Sequence, residues 1–191
     1  FVKHASGQDA YALRGVPQVH GAVRDQWQLA RAMLERQLRA VAQGQRVNAQ
    51  ELTRSQDELA AGLTALAGIA ERRLFRFNDP RLNNGLPPYL IPHHARPGIN
   101  SGYMIAQYTA ASQVASASNL LQPFAPRTGS AGSYDAGWQT AELLDRLERV
   151  LAIELLMAAQ AVDVRWESFD HPTWWQRRML WHAALGHGGR V

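Results

Sequence analysis

Cysteine is absent from all 191 residues. That removes disulfide cross-links, thiolate metal sites and a cysteine nucleophile together, and it fits a reducing compartment, so a cytoplasmic location is expected. Charge is sparse: Lys and Arg number 20, Asp and Glu 16, and charged residues make up 19% of the chain. The +4 balance comes from scattered arginines rather than a basic block, which argues against a nucleic-acid surface. Long apolar runs are missing too. The most apolar segment, Val150 to Ala159, is broken by Glu154 and falls well short of the roughly 20 residues that span a bilayer, so no membrane is expected as a partner. The opening Phe1 to Gly7 has no signal-peptide core, and a first residue other than Met reads as a processed or trimmed chain. No stretch alternates apolar and polar residues long enough to make a strand, and no internal repeat is present.

What remains is helical. Hydrophobic residues at 46% exclude a disordered chain, and the length suffices for one sizeable core or for a piece of something larger. Val19, Val23, Trp27, Ala30, Leu34 and Val41 form one apolar stripe behind Pro17. Leu59, Leu63, Leu66, Ala70 and Leu74 form a second, whose Ala-rich opposite face suits close packing and which Asp79-Pro80 ends. A Pro/Gly/Asn-rich connector runs from Asn78 to Gly98. The third helix is predicted from Asn100-Ser101 towards Leu120. After a Gly/Ser/Pro-rich connector, Gln122 to Gly137, the fourth is predicted over about Trp138 to Val162, carried by Leu143, Leu144, Leu147, Leu151 and Leu155. The fold class is therefore all-α, a long-helix bundle over residues 1–165, with a Trp/Arg/His-rich tail at 166–191. The fourth helix is apolar on nearly every side and must be enclosed by neighbours. With so few helices in the chain, those neighbours are expected from other copies or other chains.

Several segments together resemble the aromatic amino acid and histidine ammonia-lyase family. They are Gln8-Asp9-Ala10-Tyr11-Ala12-Leu13-Arg14, then Ile69-Ala70-Glu71-Arg72-Arg73, then Asp79-Pro80-Arg81-Leu82-Asn83-Asn84-Gly85-Leu86-Pro87-Pro88. Pro97 to Ala111, which contains Asn100-Ser101-Gly102, and Arg149-Val150-Leu151-Ala152-Ile153-Glu154-Leu155-Leu156 follow in the family's order. The likeness runs from about Gln8 to Arg165, the part downstream of the family's prosthetic group. It implies the family's bundle of long helices (the fumarase/aspartase-like core), an oligomer with sites shared between subunits, and either ammonia elimination from an α-amino acid or a 2,3-amino shift. It also implies a methylidene-imidazolone (MIO) electrophile made from an internal Ala-Ser-Gly.

By the same resemblance Tyr11 matches the catalytic tyrosine that takes the β-proton, and Arg14 the arginine that clamps the substrate carboxylate. Both residue types suit those tasks: a guanidinium presents a planar fork to a carboxylate, and a phenolate is a base. Three departures are plain. Ala5-Ser6-Gly7 lies directly before Gln8, whereas the family's triad lies far upstream in an enclosed loop, so the MIO is expected from a partner chain. Between the first two helices, Leu38 to Gln50 lacks the family's asparagine turn and aromatic wall, and only Asn48-Ala49-Gln50 resembles their ending. Before the fourth helix, Ala131 to Trp138 stands in place of an acidic motif, with Asp135 its one carboxylate.

Other constellations carry less. His93-His94 and His182 with His187 lack metal-ligand spacing, so no metal is expected. Trp174-Trp175 beside Arg177-Arg178 reads as an interface anchor. The expected function is a subunit or fragment of an ammonia-lyase-like enzyme, lending a phenol and a guanidinium to a site completed by another chain. The alternative is a non-catalytic relative that acts as a scaffold or regulatory subunit.

Overall fold

A computed structural model describes residues 10–93, 95–96, 98–125 and 130–167, and within these every regular element is helical. Helix α1 is a single turn, Tyr11–Arg14; α2 spans Val16–Ala42, α3 Ala49–Asn78, α4 Met104–Leu120 and α5 Ser130–Glu167. A short 3-10 turn at Pro88–Leu90 interrupts the connector between α3 and α4.

Helix α3 is the axis of the bundle. Asn48 starts it, its side-chain oxygen accepting from the Glu51 amide at 3.2 Å, so one of the unpaired N–H groups of the first turn is satisfied. Its alanines do what their size allows. Ala60, Ala67 and Ala70 are buried against the neighbouring helices, with Leu59, Leu63 and Leu74 filling the space between. Helix α2 folds back on it in an antiparallel hairpin closed at 43–48, where the Asn48 amide donates to Gln37 at 2.9 Å and Arg36 pairs with Glu51. Helix α4 runs antiparallel to α3, since the side chain of Asn78, at the end of α3, donates to the Tyr103 carbonyl at the start of α4. Helix α5 runs parallel to α3: Thr140 faces Gln56, Glu154 faces Arg73, and Arg165 reaches the turn beyond, donating to the Asn84 carbonyl at 2.6 Å.

Two buried polar links fix the register of these helices, and both spring from one turn of α3. Glu71 is buried and accepts from the Gln107 amide of α4 at 2.8 Å. Arg73 forms a two-pronged pair with Glu154 of α5, its Nη2 donating at 2.9 Å, both side chains less than one-fifth exposed. The sequence segments around Glu71, Gln107 and Glu154 are thus the ones that meet in space. Past α3, the Asp79 carboxylate accepts from the Arg81 amide at 2.9 Å and from its guanidinium at 2.7 and 3.0 Å. The hydrogen bonds from the Arg81 side chain, and then from its amide, hold this carboxyl at about 2, below its ordinary 3.8. Gly102 closes the connector: a β-carbon there would overlap the Tyr89 carbonyl, the group that accepts from the Tyr103 amide at 2.9 Å.

The structure departs from the sequence reading in three places. Helix α4 starts at Met104, because the left-handed Gly98 and Gly102 keep the chain in turns past Asn100-Ser101. Helix α5 starts at Ser130, eight residues before Trp138. The Gly/Ser-rich stretch is helical there because its small residues let it approach α3; Ala136 is wholly buried and Gly137 lies close to Gln56. The apolar stripe of α2 is buried only at Val23, with Val19 and Ala30 half-buried, while Trp27, Leu34 and Val41 are about half exposed. The tail beyond Glu167 lies outside the described residues, as do Ala5-Ser6-Gly7, His94 and the Trp174-Trp175 cluster.

Removing one partner of a buried ion pair strands the other, whereas removing both does not. Arg73→Leu is therefore expected to lower the unfolding free energy in urea by about 3–5 kcal/mol. Arg73→Leu combined with Glu154→Leu should recover most of that loss.

Candidate active site

The one-turn helix α1 exists because the Ala10 carbonyl accepts from the amides of Leu13 and Arg14, at 2.9 and 3.1 Å, while the Gly15 amide donates to the Tyr11 carbonyl at 2.8 Å. Ala12 is its only buried side chain. Tyr11 and Arg14 lie three residues apart, on one face of that turn, and both are exposed. Val16-Pro17 then opens α2, proline being tolerated in a first turn.

Tyr11 forms part of the wall of a cleft of about 580 Å³ between α1 and the C-terminal half of α3. Ala10, Ala12 and Val19 line one side, Ala65, Gly68, Ile69 and Phe75 the other, and Leu82 of the following turn closes the end. The lining is apolar except for the phenol and two guanidiniums. Arg72 pairs with Glu71 and lies over the Phe75 ring at 5.4 Å. Arg76 shares the wall and has no acidic partner among the described residues. A cleft of this kind accepts an apolar group, and its guanidiniums favour a negative charge beside it. Arg14 stands one turn from Tyr11 but does not line the cleft.

The other residues singled out from the sequence do not join them. Asn48 caps α3 at the opposite end of the bundle, and the turn at 43–48 lies beside it. Asp135 sits near the start of α5, at the end where Thr140 reaches Gln56. At 1.5 Å per residue, the 17 residues of α3 from Asn48 to Ala65, the nearest of the cleft's lining on that helix, put about 26 Å between that end and the cleft. Among the described residues no group of His, Asp and Glu is placed to hold a metal ion, and no helix is long and apolar enough to cross a membrane.

The cleft's α3 wall was missed in the sequence. Ala65, Gly68, Ile69, Arg72 and Arg76 recur at helical spacing, but such a stripe reads equally as core. Only Phe75-Arg76 following Arg72 signals that it faces something other than packed protein.

Comparison with known proteins decides the family. A family model described as aromatic amino acid lyase matches residues 2–179. The chain belongs to the aromatic amino acid lyase family. Histidine ammonia-lyase from Natranaerobius thermophilus is 37% identical over 185 aligned positions, which take in 85% of this chain and 36% of that protein. The corresponding enzyme from Treponema denticola is 38% identical over 180 positions, covering 83% of this chain and 35% of the relative. Among solved structures, tyrosine aminomutase from Streptomyces globisporus superposes with a TM-score of 0.75 at 30% identity, over 86% of this chain and 35% of its own. Histidine ammonia-lyase from Trypanosoma cruzi gives 0.74 at 27%, over 92% and 38%. The chain thus spans about a third of the length of the relatives it matches. The 185 positions exceed the share of this chain that they cover, so the Natranaerobius relative carries residues that this lyase-family chain skips.

Gly68 offers a direct test of the cleft. A β-carbon there meets nothing within 4 Å, so Gly68→Leu puts its side chain into the cleft that Gly68 lines and removes a glycine from a helix. Titration with an arylpropanoate probe, followed by the chemical shifts of Ile69 and Tyr11, should show binding in the parent chain and at least a tenfold weaker response in the variant, with unchanged or higher thermal stability.

Proposed function

We propose that this chain is one component of an ammonia-lyase-type enzyme, contributing Tyr11 and Arg14 to a site that another chain completes. The substrate is an aromatic or related α-amino acid, and the reaction is loss of ammonia or a 2,3-amino shift. The observation that carries this reading is the placement of Tyr11 in the wall of an apolar cleft open on one side, with Arg14 a helical turn away. The apolar lining receives the substrate's side chain, and the Arg14 fork holds its carboxylate. Tyr11 accepts the β-proton as the C–H bond breaks; the electron pair forms the double bond and the amino group departs with the C–N bond.

The residues present fit an MIO-using site only in part. They provide the base, the carboxylate clamp and the side-chain pocket. The described residues hold no Ala-Ser-Gly and no enclosed glycine loop that would make the ring. When bound, the MIO supplies the electrophile that turns the amino group into a leaving group. Two features support its arrival on another chain: the cleft is incomplete on its outer side, and Trp27, Leu34, Leu155 and Leu156 stand uncovered along α2 and α5. Because the 43–48 turn lies about 26 Å along α3 from the nearest cleft-lining residue, a single copy does not close the site with its own far end. An oppositely oriented copy can bring that end to it.

One observation favours the second reading, a scaffold or regulatory subunit without catalysis. Helices α2 and α3 are joined by the 43–48 turn alone, where the resemblance leads one to expect an active-site turn and an aromatic wall.

Co-expression of the chain with the upstream half of a lyase relative separates the two. The catalytic reading expects a stable complex that releases ammonia from histidine, tyrosine or phenylalanine, with turnover lowered by a factor of about 100 or more in Tyr11→Phe. A stable complex without turnover supports the scaffold.

A further inference from the structure

We infer that Gly15 is a positioning residue for Tyr11: it holds the phenol in the cleft by having no side chain. The inference rests on the catalytic reading of Tyr11 only for its consequence in turnover; the geometry stands without it.

Gly15 has φ −80° and ψ −2°, a right-handed conformation that any L-residue adopts, so the backbone does not call for glycine. The space does. A β-carbon at this position would stand 2.8 Å from the Tyr11 carbonyl oxygen and 3.0 Å from its ring atoms Cε2 and Cζ. Ordinary contacts between carbon atoms are about 3.5–4.0 Å. Tyr11 therefore lies folded back on the Gly15 α-carbon, which its ring buries, and the ring carbon bearing the hydroxyl is one of the atoms in closest approach. The same Tyr11 lines the cleft with Ile69 and Arg72. One residue thus sets both how tightly α1 folds onto α2 and where the phenol sits against α3. A methyl group at 15 drives the ring, the Tyr11 carbonyl, or both, away from that place. Gly21 is the internal contrast: it lies on α2, and a β-carbon there meets nothing within 4 Å.

The test compares Gly15→Ala with Gly21→Ala. In the parent chain, nuclear Overhauser contacts are expected between the Tyr11 ring protons and the Gly15 α-protons; their absence overturns the inference without any variant. In Gly15→Ala the Tyr11 ring should move off residue 15, losing its Overhauser contact with that residue's α-proton, while the circular dichroism of the bundle stays, because α1 adds only Ala12 to the buried residues. In Gly21→Ala both should persist. Retention of the Tyr11 ring's contact with the α-proton of residue 15 in Gly15→Ala overturns the claim. In the co-expressed complex, Gly15→Ala should lower kcat/KM by about 100-fold, the scale of an ångström's misplacement of a reacting group, and Gly21→Ala should leave it unchanged. If Tyr11→Phe keeps full turnover, the catalytic reading fails, and the Overhauser contacts still decide whether Gly15 places the ring.

Discussion

One turn of α3 sets the register of the helices around it. Glu71 points to α4 and binds Gln107, Arg73 points to α5 and binds Glu154, and Arg72 between them points outward over Phe75. A buried charge without its partner is costly, so each link permits one axial position of the neighbouring helix and penalises a slip of a turn. The C-terminal half of α3 is thereby held fixed, and with it the Ile69, Arg72 and Arg76 wall against which the Tyr11 turn rests. A mobile pair of helices would leave that wall undefined. The polar links bear on the cleft by holding its α3 wall in place.

Among the described residues the same architecture leaves a large apolar surface exposed. On α5, Leu155 is 62% exposed and Leu156 53%; on α2, Leu38 is 61% exposed. An isolated chain would hold these side chains against water, and each buried one is worth about 1.5–3 kcal/mol. They lie along the outer faces of α2 and α5, where the proposed partner chains would pack. That agrees with a chain that spans about a third of its relatives' length.

Much of this was legible in the sequence. Helices α2, α3 and α5 follow from apolar periodicity, and the Asp79-Pro80 stop is local chemistry that needs no tertiary information. The start of α5 was not legible, because Gly132 and Gly137 weaken local helical preference and only contact with α3 shows why small residues are wanted there. Nor was the fate of the α2 stripe. Periodicity marks a face that prefers cover and does not say whether the cover lies in the same chain. Tyr11 and Arg14 are singled out by motif resemblance, not by pattern, since a four-residue helix is too short to have a period. Gly15 escaped notice because its role lies in a contact with Tyr11 that sequence order alone does not display.

The central proposal is that one copy of this chain is an incomplete unit whose exposed helix faces and open cleft are covered by other chains. Native mass spectrometry of the protein purified from its own host tests it most directly. The account expects an assembly of several chains in fixed stoichiometry, with amide exchange along α2 and α5 slowed relative to the isolated chain. A chain that stays monomeric at all concentrations, with those helices exchanging as freely in the native preparation as in isolation, would contradict it.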